Sequence, residues 1–576
     1  MTLTPSEQRV IDCVGQGRIA DFSDGAESKP TQGYAWGSER TVRCEVVQAL
    51  VTGTSDRQVR AAGVVIKGAR IAGELDLRDV KLDFPLVLCA CFVERPIILD
   101  NASAVSIRLT GSCISGLRAS GLLIAHDLFL DGVTTLSQVQ IARTRVGGVL
   151  NCMSACLTNR DSIALDAERV AVKGSFILRS ARIRGEVVLV GAKIESDLEC
   201  SGASFDNRAG RALSVDRADI SGGVYLRDGL SVKGEVGLAG CRIGGNLDCA
   251  NATFENYGGV AICADAAHVA GAVEFREVVA NGQVRLVGAR IRGDLSCVGG
   301  SFENPDGNCL SIERAAIGGD LILTALARPP VGTLNLSHAK AGRLLIGSPE
   351  SWPAPGCLVL DGFKYDRIAA CRSADQRERL SARDWLAWIE RQGDRYLPQP
   401  FEELIRALRS AGNERESREV AIAKKKALRR KGNLPWWSRV WNALLGATVG
   451  HGYKPWLVAF WLAGFIIGGA QVFRYAKQSG VMMRSQSWVY QDGWYGERRA
   501  ASRPEPYPPF DPYLFSVDTL VPFVNLHQQA FWWPNARRPR DTAYIACETY
   551  LVAHELIGWT LFALLFAALG GFLRRD

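Results

Sequence analysis

Histidine and methionine are scarce in this 576-residue chain, at six and four residues. Several chemical motifs are missing as well. There is no paired CxxC, no CxxC followed by HxxxH and no HExxH, the spacings that structural and catalytic zinc sites use. No GxGxxG opens a helix after a strand, and no Walker-type loop occurs, so the usual dinucleotide and nucleotide cradles are absent. The histidines, at 126, 268, 338, 451, 527 and 554, form no recognisable catalytic set. An oxidoreductase reading therefore finds no residues to carry it; catalysis is not expected, and neither is a cofactor. The opening "MTLTPSEQRVIDCVGQG" has no apolar h-region, so the sixteen cysteines are expected to be reduced and to serve as small core residues.

What is present is repetition. "LNCMSACL" (150–157), "LECSGASF" (198–205), "LDCANATF" (247–254) and "LSCVGGSF" (295–302) put Cys152, Cys200, Cys249 and Cys297 at steps of 48, 49 and 48. Leu157, Phe205, Phe254 and Phe302 follow, each five residues later. Between them runs A-x-I-x-G-x-L-x-[L/C], as in "ARIRGEVVL" (181–189), "CRIGGNLDC" (241–249) and "ARIRGDLSC" (289–297). Apolar residues alternate at period two and small residues mark the corners, the pattern of short strands with one buried face. Without helical spacers, such strands imply a stacked coil in which like side chains form ladders. The 48-residue step is expected to cover two turns of roughly 20–24 residues, with loops at "DNRAG" (206–210), "ENYGG" (255–259) and "ENPDG" (303–307). The fold class is thus mainly β, a parallel β-helix followed by a helical hairpin and two transmembrane helices.

These segments, with a small residue two places before a bulky one and five-residue steps, resemble the pentapeptide-repeat group of right-handed parallel β-helices over roughly 62–347. The five-residue beat breaks at each glycine corner, so a square coil is less expected than a β-helix. One outward slot is basic: Arg145, Lys193, Arg242, Arg290 and Lys340, at steps of 48, 49, 48 and 50. This stripe could hold a polyanionic ligand or a protein partner. The blander reading is a solvated face whose cations pair with Glu186, Glu235 and their neighbours. A formal net charge of +8 gives no strongly acidic face, against the DNA mimicry some members of that group perform.

The ends differ from the middle. Residues 1–60 lack the repeat and are read as a partly helical cap over the first turn, with the β-helix at 61–360. A helical linker spans 361–433, formed by "PFEELIRALRSAG" (400–412) and "ERESREVAIAKKKALRRK" (414–431). Residues 434–576 are read as a membrane domain. Its spans are "WLVAFWLAGFIIGGAQVF" (456–473) and "LIGWTLFALLFAALGGFL" (556–573), each 18 residues long against the ~20 that cross a bilayer. The tryptophan- and glycine-rich stretch before the first span suits a membrane interface. Basic residues at 424–431 and at Arg574 and Arg575 place both termini in the cytoplasm of a cell membrane, with 474–550 outside.

The order span, pore-like segment, span is similar to the two-span domains of ion channels. "PYPPFDPYLFSVDTLVPFVNLHQQAFWWP" (506–534) stands where such domains carry a pore helix. The TxGxG filter is missing, and "TLVPFVNL" (519–526) takes its place. Asp518, Asn525, His554 and Glu555 are the candidate pore or outer-edge residues, the last two at the outer end of the second span. Gly464 and Gly468 offer a GxxxG helix contact. The reading is a β-helix that binds or senses, joined to an oligomeric channel-like membrane domain with the lipid bilayer as partner. A membrane-tethered scaffold without a pore is the alternative.

Overall fold

The computed structural model describes residues 3–23, 29–54, 59–370, 380–485, 507–534 and 542–574. The chain divides into two compact units, Met1–Ser417 and Arg418–Asp576.

The first unit is a parallel β-solenoid of about 13 turns over residues 64–369. Its strands join two long sheets of 26 and 18 strands. Tracing one column shows how it coils: Leu150 pairs with Phe176, then Leu198, Val224, Leu247, Val273, Leu295 and Leu321. The steps alternate between 26 and 22–23 residues. The 48-residue period is therefore two turns of unequal length, and the longer exceeds the expected size.

The cysteines share one column, on every second rung, as a two-turn step implies. Cys152, Cys200, Cys249 and Cys297 alternate with Leu178, Leu226, Phe275 and Leu323, and all are buried. In the neighbouring column Leu157, Ile183, Phe205, Val232, Phe254, Ala280 and Phe302 follow one another. Large rings meet smaller side chains, which interdigitate at interior packing density where seven stacked rings would not. Burial pushes the Cys152 thiol up to about 12 and raises Cys200, Cys249 and Cys297 as well. Thiols held protonated in an apolar interior are poor nucleophiles.

The loops foreseen at 206–210, 255–259 and 303–307 lie inside longer strands, Ser204–Ser214, Thr253–Cys263 and Ser301–Ser311, as shifts of register. Each bulge is braced by an asparagine whose Nδ2 donates to the carbonyl four residues on: Asn159 to Ile163, Asn207 to Arg211, Asn256 to Val260, Asn304 to Asn308. On the next turn Gly185, Gly234, Gly282 and Gly332 adopt φ between +107° and +128°. A Cβ on Gly234 would stand 2.4 Å from the Asn207 carbonyl, so the bulge and the glycine require each other.

Both ends are covered. Helices α1 (Pro5–Gln16) and α2 (Cys44–Val51) lie at the start, where Ala20–Asp21 pairs with Val64–Lys67. At the far end α3 (Ala382–Ile389) precedes α4 (Gln399–Ser410). Gln399 Nε2 donates to the Phe363 carbonyl (2.7 Å), and Arg406 Nη2 donates to that of Tyr365 (2.6 Å). The first helix of the expected linker thus serves as a cap, since its side chains satisfy carbonyls in and beside the last strand (Lys364–Ala370).

At the first end, the buried Glu7 carboxylate takes Nε of Arg43 at 2.6 Å and Nη2 at 2.7 Å. These hydrogen bonds from Arg43, aided by the Thr4 amide, hold its carboxyl down to about 2. A depressed carboxyl stabilises the fold above the unfolded value of roughly 4.3 and stops doing so as pH falls toward ~2. Thermal unfolding followed by circular dichroism should therefore show the cap loosening over that acid window. In Glu7→Gln the acid loss should be smaller, with lower stability at neutral pH.

Candidate functional site

Two features carry candidate chemistry, one in each unit. In the solenoid, the five basic residues do fall in one column. The register runs Arg145, Ala171, Lys193, Asp219, Arg242, His268, Arg290, Ala316, Lys340, Lys364. All five cations are exposed and stand on alternate rungs, roughly 10 Å apart at the inter-strand spacing. Among the described residues none of them makes an ion pair within 4.0 Å. The expected acidic partners are engaged elsewhere: Glu235 with Arg211 at 3.2 Å, and Glu186 with the Ser214 hydroxyl at 2.6 Å. The nearest basic neighbours on the column are Arg290 Nη1 and His268 Nε2, 3.5 Å apart.

Two shallow troughs run along this column. One of about 770 Å³ lies between Lys81 and Lys193, and one of about 940 Å³ between Asp219 and Lys340. Their linings include Gly147, Gly244, Gly318 and Gly342, positions without side chains beside the charged column. The second trough also collects Arg292 and Lys340 against Asp219 and Asp366, a net positive lining. A basic furrow of this length can take an extended anionic chain.

The second unit holds α5 (Glu414–Lys431) for most of its length, then α6 (Trp436–Val449), α7 (Leu457–Gln478), α8 (Pro512–Leu520) and α9 (Thr542–Leu569). Both α7, of 22 residues, and α9, of 28, are long and apolar enough to cross a membrane. They span roughly 33 and 42 Å at helical rise, against a bilayer core of about 30 Å. The second helix starts well before the expected span. His554 and Glu555 consequently sit mid-helix rather than at its outer end. The apolar pattern is interrupted there by polar groups, which hid the continuation; Gly570 and Gly571 (φ +79°) follow the other end.

Helix α8 lies between these two rods. Asp511 caps it, accepting from the Tyr513 and Leu514 amides at 2.8 and 3.1 Å. Its seat is made by two glycines that the sequence reading passed over. A Cβ on Gly469 would come within 2.4 Å of Ser516 Oγ, and one on Gly558 within 1.8 Å of the Leu520 carbonyl oxygen. A Cβ on Gly464 or Gly468 would meet nothing within 4 Å among the described residues. His554 is fully buried, its Nε2 3.1 Å from Ser516 Oγ and 3.3 Å from the Ser516 carbonyl. Its ring stacks on Tyr550 and meets Phe473 edge-on. Glu555 is exposed.

After α8 the chain turns back through Val521–His527. Asp518, itself largely buried, organises this return: Oδ1 accepts from the Leu526 amide at 2.6 Å and Oδ2 from the Gln529 amide at 2.9 Å. Asn525 Oδ1 accepts from the His527 amide at 2.9 Å. Phe523, Val524, Asn525 and Leu526 are exposed, although the Phe523 ring also meets Trp559, Phe562 and Phe566 at centroid distances of 5.9–6.0 Å. The return segment therefore lies alongside the C-terminal half of α9.

Sequence reasoning missed Ser516, Gly469, Gly558 and the bracing asparagines. Only the asparagines left a signal, since 159, 207, 256 and 304 repeat the 48, 49, 48 steps of the cysteines. Comparison with protein-family models, with curated proteins and with solved structures finds no match. Replacing Gly558 by alanine should unseat α8 and lower the melting temperature of the detergent-solubilised chain by several degrees, whereas Gly464→Ala should leave it within about a degree.

Proposed function

We propose that the chain is a multi-pass cell-membrane protein whose cytoplasmic solenoid, a pentapeptide-repeat-like β-helix, senses a polyanion for an oligomeric, channel-like two-span domain. The observation that carries this reading is the return segment Val521–His527, exposed from Phe523 onward, beside the apolar C-terminal half of α9. Irregular backbone at hydrocarbon depth is tolerated only where protein covers it or where it lines water. A ring of copies supplies both, with Asn525 on the segment facing the axis and Asp518 holding its shape. Glu555, exposed partway along the same apolar helix, requires a polar surrounding for the same reason. The basic run 424–431 before α7 supports a solenoid and both termini on the cytoplasmic side.

The division into a cap (1–60), β-helix (61–360), linker (361–433) and membrane domain (434–576) belongs to this proposal, as do packing of Gly464 and Gly468 between copies and the polyanion on the basic column. A tethered scaffold with no pore is the second reading, favoured by the missing TxGxG sequence.

Liposomes containing purified full-length chain decide between them. Channel function predicts ion flux that Asp518→Ala reduces at least about tenfold, because the return segment loses its two amide anchors; flux no greater than in empty liposomes leaves the scaffold. For the column, Arg242→Glu, Arg290→Glu and Lys340→Glu together should weaken binding of an inorganic polyphosphate at least about tenfold, and unchanged binding returns these residues to a merely solvated role.

A further inference from the structure

Helix α6 presents an apolar face that nothing among the described residues covers. Trp436 is 77% exposed, Trp437 61% and Trp441 52%, with Val440 and Leu444 beside them. At helical spacing these five residues fall on one arc. The other side is fixed, because Leu445 and Val449 pack with Val458 of α7 and with Leu561 and Leu564 of α9. Trp461 Nε1 also donates to the Ala447 carbonyl at 3.0 Å. So α6 is held against the ends of the two apolar rods with its tryptophans turned away from them.

Positive charge collects at the same place. Lys425, Lys426 and Arg429, in the last turns of α5, lie close enough to His451 to depress its imidazole, after burial itself. His451 belongs to the turn Gly450–Gly452, between α6 and α7. Among the described residues Lys425, Lys426, Arg429 and Arg430 make no ion pair within 4.0 Å. An uncovered tryptophan face beside unpaired cations, at the end of a candidate span, matches the chemistry of one surface. Indole rings favour the boundary between headgroups and acyl chains, and juxtamembrane cations attract anionic lipid.

We propose that the α5–α6 elbow is a binding site for anionic phospholipid headgroups. Helix α6 lies in the plane of the bilayer interface with Trp436, Trp437 and Trp441 at the acyl boundary. Lys425, Lys426, Arg429 and Arg430 meet the phosphates. This rests on the membrane reading given above, but on neither the pore nor the polyanion.

The test reconstitutes the full chain in vesicles of phosphatidylcholine doped with spin-labelled phosphatidylglycerol or spin-labelled phosphatidylcholine. The fraction of each label immobilised by the protein is then compared. The wild type should immobilise the anionic label several-fold more strongly. That preference should vanish in the variant carrying Lys425→Gln, Lys426→Gln, Arg429→Gln and Arg430→Gln. It should also vanish for the wild type in about 1 M salt, where the Debye length falls to about 3 Å. Equal immobilisation of the two labels by the wild type overturns the site, as does a preference that survives both the variant and the salt. A carbonate wash separates the two levels of failure: release of the chain overturns the membrane reading itself, whereas retention without lipid preference overturns the headgroup site alone.

Discussion

The solenoid depends on its parallel register, in which the amides of one turn bond the carbonyls of the next. At one corner this ladder runs unbroken through Gly222, Gly245, Gly271, Gly293, Gly319 and Gly342, each amide bonding the turn before at 2.8–3.0 Å. Where the ladder lapses, an acid or amide fills in: Asp127, Asp197, Asn246 and Asp294 each accept a backbone amide 22–26 residues on. Buried peptide groups leave no other solution, since an unbonded buried amide costs about 1–3 kcal/mol. Cores, troughs and charge column follow from that constraint.

Because register fixes every side chain's height and direction, properties set one rung at a time become properties of a surface. Five cations separated by about fifty residues of chain become a line with roughly 10 Å between neighbours. Their exposed heads lie outside, while Val146, Ile194, Ile243 and Ile291, one residue later, are buried. The same alternation that makes the core thus makes the column, and neither can be shifted without the other.

Much of this was legible beforehand. Period-two alternation together with the 48-residue step gave the coil, its two-turn unit and the basic column, because sequence distance along a solenoid converts directly into height. The residues on the rungs between the cysteines were hidden because sequence periodicity marks only identical residues; Leu178 and Phe275 fill the same slot without resembling cysteine. Corners were expected to be small, yet Arg143, Arg169, Arg217 and Arg314 adopt φ of 53–57° there. Inter-turn bonding imposes the left-handed geometry that glycine would accept freely. In the second unit the ends of α9 were misplaced because polar side chains on its exposed side break a purely apolar run. The seat of α8 left no trace, since Gly469 and Gly558 are 89 residues apart and matter only where a third element touches both.

The unequal turns have a further meaning for how such a chain can change in length. Removing one complete 48-residue unit would bring like rungs together again, shortening the rod while preserving its pattern of charges, bulges and cysteines. Deleting a single turn would instead set a bulge against its own kind, depriving Asn207 or Asn256 of the facing glycine and placing two cations on adjoining levels. From Leu150 to Leu321 the solenoid is in this sense a ruler graduated in pairs, which can be cut at every second mark and at no other.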